Sequence, residues 1–567
     1  MFPGRTRPTS SSLRIAPQLE SLETREVPAV LAVADNYRGE IGTVLRVSSQ
    51  FGVLSNDLSS IDFGAPLAAT LAGGPNLFDK ASGGTVGNIL ATPLPSNTLT
   101  LNPDGSFDLV IPSGLPITTG GIIFSYTATN LTNALDLPGT GTVIVFLTQP
   151  VQQQLAVGAG PGTEPIVNVY DVPTGQLVHS FLAYEPSFTG GVQVAQYDFN
   201  FDGTPDIVTA PGQGGSARIK VYDGLNARIL MDNIFFEATF TGGAHIAVGD
   251  FNGDGFEDLI IGAGVGGGPR VTVINGLIFI PLEPTVDNPF IIGPRISPVT
   301  GQITTFDVLA NFYAYENTYR GGVRVAAGDI DGVGRDYVIT APGMGGGPVV
   351  KAFDYNMVVG PPSIVVGAPP NNVRRLRQPV NQYGVNFGGS ATPIRSFYAG
   401  NAGSRVGVYP SAGDIDGDGK AEIIVGSGDG PAIVQIYNGQ TVGLISEFGV
   451  PYSELTSFDT TTATAIQRTS ALMLNRTPSS GNLLAPTQRP ASLLGAVGEQ
   501  PSHIISGIAD GGIHVATMDW NGDGKADIIT GAGPGNPPRV RVFDASAQEL
   551  ANFLTLPADV LTGVFVG

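Results

Sequence analysis

The chain has 567 residues, 42% hydrophobic and 13% charged, with 79 Gly, 44 Pro, no Cys and a formal net charge of −20. It is too long for one simple core and too apolar for a disordered chain, so several domains or a repeat array of short strands and tight turns are expected. The acidity argues against nucleic acid, which needs a basic face. The missing Cys excludes disulfides, thiolate metal sites and a cysteine nucleophile, and no run of eighteen apolar residues is present to span a membrane.

Residues 1–29 read as a flexible leader or export segment. They carry Arg5, Arg7 and Arg14 but no apolar stretch of the standard secretion type. Leu19-Glu-Ser-Leu-Glu-Thr-Arg25, followed by Pro28-Ala29, resembles a short N-terminal segment of large bacterial surface proteins. Strands are predicted at Leu31–Tyr37, Val44–Val47, Asn97–Leu101, Ser106–Ile111, Ile122–Thr129 and Thr140–Phe146, with a turn at Asn102–Gly105. About seven short strands between residues 30 and 149 predict an antiparallel β-sandwich. Gly52-Val-Leu-Ser-Asn-Asp57, Leu101-Asn-Pro-Asp-Gly-Ser-Phe107 and Ser125-Tyr-Thr-Ala-Thr129 resemble the bacterial cadherin-like or Ig-like module, which acts as a spacer or adhesive stalk. That family's acidic calcium segment is eroded here to Leu58-Ser-Ser-Ile-Asp62, so no metal is assigned to this part.

From 150 to 567 an acidic stretch recurs, Asp-x-[Asp/Asn]-x-Asp-Gly-x-x-[Asp/Glu], each copy running into an apolar strand. Positions 1, 3 and 5 are Asp198, Asn200 and Asp202; Asp250, Asn252 and Asp254; Asp414, Asp416 and Asp418; Asp519, Asn521 and Asp523. Position 7 offers a backbone carbonyl (Thr204, Phe256, Lys420, Lys525) and position 9 an acid (Asp206, Asp258, Glu422, Asp527). Calcium takes six to eight oxygens at roughly 2.3–2.6 Å, most of which this donor set would supply, and Gly at position 6 permits the sharp turn. An EF-hand would need its Glu at position 12, where Thr209, Ile261, Val425 and Thr530 stand inside strands. One copy alone reads equally as a hairpin turn. Four copies with the same acids at the same offsets favour about four Ca2+ ions. A fifth copy keeps Asp329 and Asp331 but has Val333 and Tyr337 at ligand positions, and reads as a metal-free turn.

Spacings between the first Asp residues are 52, 79, 85 and 105. The excess is assigned to insertions near 277–310, 355–395 and 450–508, each placed after the second strand of its repeat. Four strands per repeat predict a six-bladed β-propeller, with a possible seventh blade around Ile504–Ile508. Ring closure would pair the C-terminal strand with the blade near 155. Val248-Gly-Asp-Phe-Asn-Gly-Asp-Gly-Phe-Glu-Asp-Leu-Ile-Ile-Gly-Ala-Gly264 and its sister copies resemble FG-GAP (integrin-α-type) repeats. The resemblance implies a propeller with calcium in these loops on one face and ligand-gripping loops on the other.

His245 and His514 share a slot with Gln193, Arg324 and Tyr409, five residues before the first Asp, and read as a generic strand position without a metal or catalytic role. Trp520 reads as a packing aromatic, and Arg374-Arg-Leu-Arg377 as a solvated loop. Tyr383, Phe387 and Tyr452 are candidates for stacking on sugar rings. No catalytic residue is assigned. The expected function is a non-enzymatic, extracellular or surface-bound bacterial protein that uses propeller loops to bind a surface protein or polysaccharide. A carbohydrate-active lyase or hydrolase and a multivalent lectin are the alternatives.

Overall fold

The computed structural model describes residues 29–276, 308–355, 358, 391–451 and 511–567, apart from 31, 33–34, 48, 50–51, 56, 58, 60–64, 81–85, 96, 116–118, 149–151, 201, 238 and 401. The leader, most of the three insertions, the Arg374 cluster, Tyr383, Phe387, Tyr452 and Ile504–Ile508 lie outside the described residues.

Eight strands precede residue 150: β1 (Asp35–Glu40), β2 (Val44–Val47), β3 (Leu67–Lys80), β4 (Val86–Pro93), β5 (Leu99–Leu101), β6 (Phe107–Val110), β7 (Thr119–Asn130) and β8 (Gly139–Thr148). They form a five-stranded sheet, β1-β8-β7-β3-β4, and a three-stranded sheet, β2-β6-β5. Alternation decides the inner face: Phe107 and Leu109 of β6 are buried while Asp108 and Val110 are exposed. Phe107, Leu109 and Ile111 share one core with Ile122, Phe124, Val143 and Val145 of the larger sheet.

Two expectations change here. β1 runs parallel to β8, Asp35 opposite Val143, so the larger sheet is mixed rather than antiparallel. A parallel bridge from Ala29 to Leu137 already sets the chain in that direction before β1 begins. β3 and β4 were not anticipated. β3 passes through Gly73-Gly74-Pro75, which reads as a turn, and its pairing with β7 shifts register at three places, absorbing those residues as irregularities.

The remaining strands are β9 (Gln154–Ala159), β10 (Ile166–Asp171), β11 (Leu177–Leu182), β12 (Val192–Tyr197), β13 (Asp206–Pro211), β14 (Arg218–Tyr222), β15 (Ile229–Ile234), β16 (Ala244–Gly249), β17 (Asp258–Ala263), β18 (Arg270–Ile274), β19 (Val308–Tyr313), β20 (Val323–Gly328), β21 (Tyr337–Pro342), β22 (Val349–Phe353), β23 (Arg395–Tyr398), β24 (Val408–Gly413), β25 (Glu422–Ser427), β26 (Ile433–Tyr437), β27 (Leu444–Gly449), β28 (Ile513–Met518), β29 (Asp527–Ala532), β30 (Arg539–Phe543), β31 (Glu549–Leu554) and β32 (Val564–Val566). Five four-stranded sheets run in sequence order from β12 to β31, and a sixth is β11-β10-β9-β32. β32 closes the ring by pairing with β9, Phe565 opposite Gly158. β24 and β28 are direct neighbours, since Thr517 Oγ1 on β28 donates to the Ala412 carbonyl on β24 at 2.6 Å. The fold is a β-propeller with six four-stranded sheets among the described residues.

Burial explains the sequence of each blade. The second strand of each blade is covered on both faces; all six residues of β17 and of β29 are buried. The outermost strand alternates with solvent, as in β31. Blades approach so closely that a Cβ on Gly262 would sit 2.3 Å from the Val323 carbonyl oxygen of the next inner strand. Each sequence repeat straddles two blades, because its last strand is the inner strand of the following sheet. The third insertion follows β27, the outer strand of its blade, whereas the first two follow the third strands β18 and β22.

Candidate functional site

Each acidic stretch forms the turn between the inner and second strands of a blade. In the copy at 250, the Asp250 carboxylate accepts the amides of Gly253 (2.8 Å), Asp254 (3.0 Å) and Gly255 (2.8 Å). Asn252 Oδ1 accepts the Asp254 amide at 2.8 Å, and Asp254 Oδ1 accepts that of Phe256 at 3.0 Å. The same ladder recurs on Asp414 and Asp519. Gly255, Gly419 and Gly524 at position 6 have φ of 82°, 83° and 84°, which only Gly adopts freely. The position-9 acid opens the second strand and is drawn back beneath the loop. Asp258 accepts the amides of Phe251 (3.1 Å), Asn252 (3.3 Å) and Gly276 (3.0 Å), tying the turn to the end of β18.

The copies differ in how closely the acids gather. Asp414, Asp416 and Glu422 each place a carboxylate oxygen within 4.8 Å of the others, the one such trio of acids among the described residues. At 250 and 519, Asn replaces the middle acid, and its amide donates to the position-5 acid: Asn252 to Asp254 at 2.8 Å and Asn521 to Asp523 at 3.0 Å. At 198, Asn200 donates instead to Asp206 at 3.3 Å. In the divergent copy the Asp329 ladder persists, but the Tyr337 hydroxyl, at the position-9 place, donates to Asp331 at 2.6 Å.

Burial and mutual repulsion hold these acids far from their ordinary range. Burial, and then the charges of Asp198, Asp202 and Asp223, push Asp206 up to about 8 against the pull of the Gly224 amide. Asp250 and Asp258 are raised well above the usual carboxylate range by burial and by Asp254. Glu422 is raised to about 7, by burial and then by Asp416, Asp418 and Asp414. Carboxylate and amide oxygens crowded in this way form a donor set suited to a hard divalent cation.

The loops are also joined to one another, which the repeat pattern did not reveal. The position-8 amides of Asp336, Ala421 and Ala526 donate to the carbonyls of Asp250, Asp329 and Asp414 at 2.7, 2.8 and 2.8 Å. Lys525 Nζ reaches the Asp416 carbonyl at 2.7 Å, and Gln153 Nε2 reaches that of Asp519 at 2.9 Å. Trp520 stacks on Phe553. Phe256 turns its ring away from the loop and buries it among Phe78, Ile144 and Phe146 of the N-terminal sheet, 5.8 Å edge-to-face from Phe146. The N-terminal sheets therefore rest on the loop face.

At the opposite ends of the inner strands, the second residue of each strand lines an axial cavity of about 640 Å³: Gln193, His245, Arg324, Tyr409, His514 and Phe565. These include the slot that the sequence reading set aside as a generic strand position. Each faces a small residue across its strand pair, such as Gly262 opposite His245 and Ala341 opposite Arg324. The Arg324 guanidinium lies 3.5 Å over the Tyr409 ring, and its Nε and one Nη are buried without a hydrogen-bond partner. His514 sits between Tyr409 and Phe565, each ring centroid 4.2 Å away. Its Nδ1 lies 2.7 Å from the Val564 carbonyl, and its buried Nε2 has no partner. Burial depresses both His245 and His514 to about 3, so both imidazoles are neutral at pH 7.

An FG-GAP-like repeat model matches residues 189–261, the span from the start of the second blade through the loop at 250. No curated protein matches the chain. Among solved structures, a quinonprotein alcohol dehydrogenase-like protein from Bacteroides thetaiotaomicron is similar at 9% identity and a TM-score of 0.30, over 93% of this chain and 96% of that one. The exotype rhamnogalacturonan lyase YesX is similar at 10% identity and 0.29, over 93% and 86%. The Dos1 propeller is similar at 8% and 0.29, over 87% and 88%. No activity transfers at such identities. Among the described residues no helix is long and apolar enough to cross a membrane.

Proposed function

Taking the chain as an FG-GAP-repeat β-propeller, we propose that it is a calcium-stabilised, non-enzymatic binding protein of the bacterial exterior, whose partner is a surface protein or polysaccharide. The observation that carries the reading is the approach of Asp414, Asp416 and Glu422 to within 4.8 Å of one another. Three carboxylates held so close repel, and a divalent cation turns that repulsion into cross-linking. Asp414, Asp416, Asp418 and Glu422 would hold the ion here, with the Lys420 carbonyl. The loops at 198, 250 and 519 would use Asn at the middle position. The ion's contribution is charge neutralisation and rigidity; the residues supply the oxygens and the hydrogen-bonded frame that keeps them together.

Isothermal titration of the chelator-stripped full chain tests this. About four ions are expected from four intact loops, with Asp416→Ala removing one of them. Absence of calcium binding would reduce the loops to turns and overturn the reading.

A further inference from the structure

We propose that the axial cavity opposite the acidic loops is a binding site for a small hydroxy-carboxylate, such as a hydroxy acid or an acidic sugar. The proposal supplies a ligand class for the binding role above. It stands on different residues from the calcium loops, so either reading can fail alone.

The first argument is charge. The protein carries −20 overall, yet the cavity lining holds one guanidinium and no carboxylate. Arg324 is only 8% exposed, and neither its Nε nor its buried Nη has a protein acceptor. Stacking on Tyr409 orients the planar fork but supplies no hydrogen-bond acceptor. A buried guanidinium with open donors matches a carboxylate, which accepts two parallel N–H bonds. With His245 and His514 neutral, the cavity presents a single positive charge, which matches a monoanion better than a dianion.

The second argument is the lone pair on His514, a residue only 5% exposed. A carbonyl oxygen only accepts, so the contact to Val564 requires that Nδ1 carry the proton. Nε2 is then an acceptor with nothing to accept from. Tyr409 and Phe565 prevent the ring from turning away. A ligand hydroxyl would satisfy it, while a simple carboxylate such as acetate cannot. The open donor on Arg324 and the open acceptor on His514 therefore specify an acid that also bears a hydroxyl. Tyr409 and Phe565 supply apolar surface beside them, and the volume lies within the range of small-molecule sites.

The test uses the calcium-loaded full chain and follows binding by calorimetry and thermal shift with glycolate, D-glucuronate, D-glucose, acetate and inorganic phosphate. Glycolate or glucuronate should bind at least tenfold more tightly than acetate, glucose or phosphate. Arg324→Gln should abolish that binding while leaving calcium uptake unchanged, and His514→Phe should reduce the hydroxy acid to the level of acetate. If Arg324→Gln does not fold, Arg324→Lys keeps the charge without the fork and should weaken binding at least tenfold. Failure of both hydroxy-carboxylates to bind overturns the proposal. So does preference for phosphate, which would mark a plain anion site, or binding unaffected by either Arg324 variant.

Discussion

The two faces of the propeller solve opposite problems with the same strands. On the loop face, five turns concentrate acids within nine residues of one another, and backbone amides organise those acids into ladders. On the other face, one residue from each of six inner strands meets at the axis, and those residues are all but unrepeated: Gln, His, Arg, Tyr, His and Phe. The first face is made by local chemistry and repeats because the turn repeats. The second is made by closure of the ring, where each blade contributes a different side chain to one shared space. Structural requirements keep the repeats alike at the loops, whereas the axis is where the blades diverge.

Four experiments sharpen this contrast. The largest effect should come from chelating calcium. Each site saturated a hundredfold above its Kd adds about 2.7 kcal/mol, so several kcal/mol should be lost over the set. Differential scanning calorimetry with and without chelator measures it, and an unchanged Tm would mean that the loops are already satisfied by their amides.

Phe256→Ala should cost about 3–5 kcal/mol, because a fully buried ring is removed from its packing against Phe146 and Phe78. Denaturant unfolding reads the loss. Faster proteolysis of the segment before residue 150 would show that this ring anchors the N-terminal sheets to the loop face.

The pH response of the stripped protein should run opposite to ordinary acid denaturation. Asp206 and Asp336 are raised to about 8, mainly by burial, so the folded state holds protons that the unfolded chain releases near pH 4. That stabilisation is complete below about pH 4 and is lost as pH rises to about 8, by up to about 1.4 kcal/mol per unit for each group. Melting curves at pH 5 and pH 8 should therefore favour pH 5 without calcium, and the preference should shrink when calcium is present.

The smallest effect is at the divergent loop. Tyr337→Phe removes the hydroxyl that donates to Asp331 and should cost about 1 kcal/mol without changing calcium stoichiometry. The paired change Val333→Asp with Tyr337→Asp restores the acidic pattern and should add one ion by titration.

Much of this was legible in the chain. The recurrence of Asp250-Phe-Asn-Gly-Asp-Gly and its sisters identified the loops, their glycine geometry and the propeller, because the interacting groups are sequence neighbours and the turn is decided locally. Tyr337 stands where the other copies have an acid, and its hydroxyl donates to Asp331. The long strand β3 was hidden because Gly73-Gly74-Pro75 carries the local signature of a turn, and only pairing with β7 holds it extended. Phe256 was read for its carbonyl alone, since nothing in its repeat foretells that a separate sheet supplies the pocket for its ring.

The sequence by itself determined the repeat, the acidic loops and the all-strand architecture, each decided by groups a few residues apart. Only the tertiary structure brought the slot at Gln193, His245, Arg324, Tyr409 and His514 to one cavity, together with Phe565. Those residues lie 52 to 105 apart along the chain, and each looks like an ordinary strand position until pairing of β32 with β9 closes the ring and turns six unrelated side chains toward one axis.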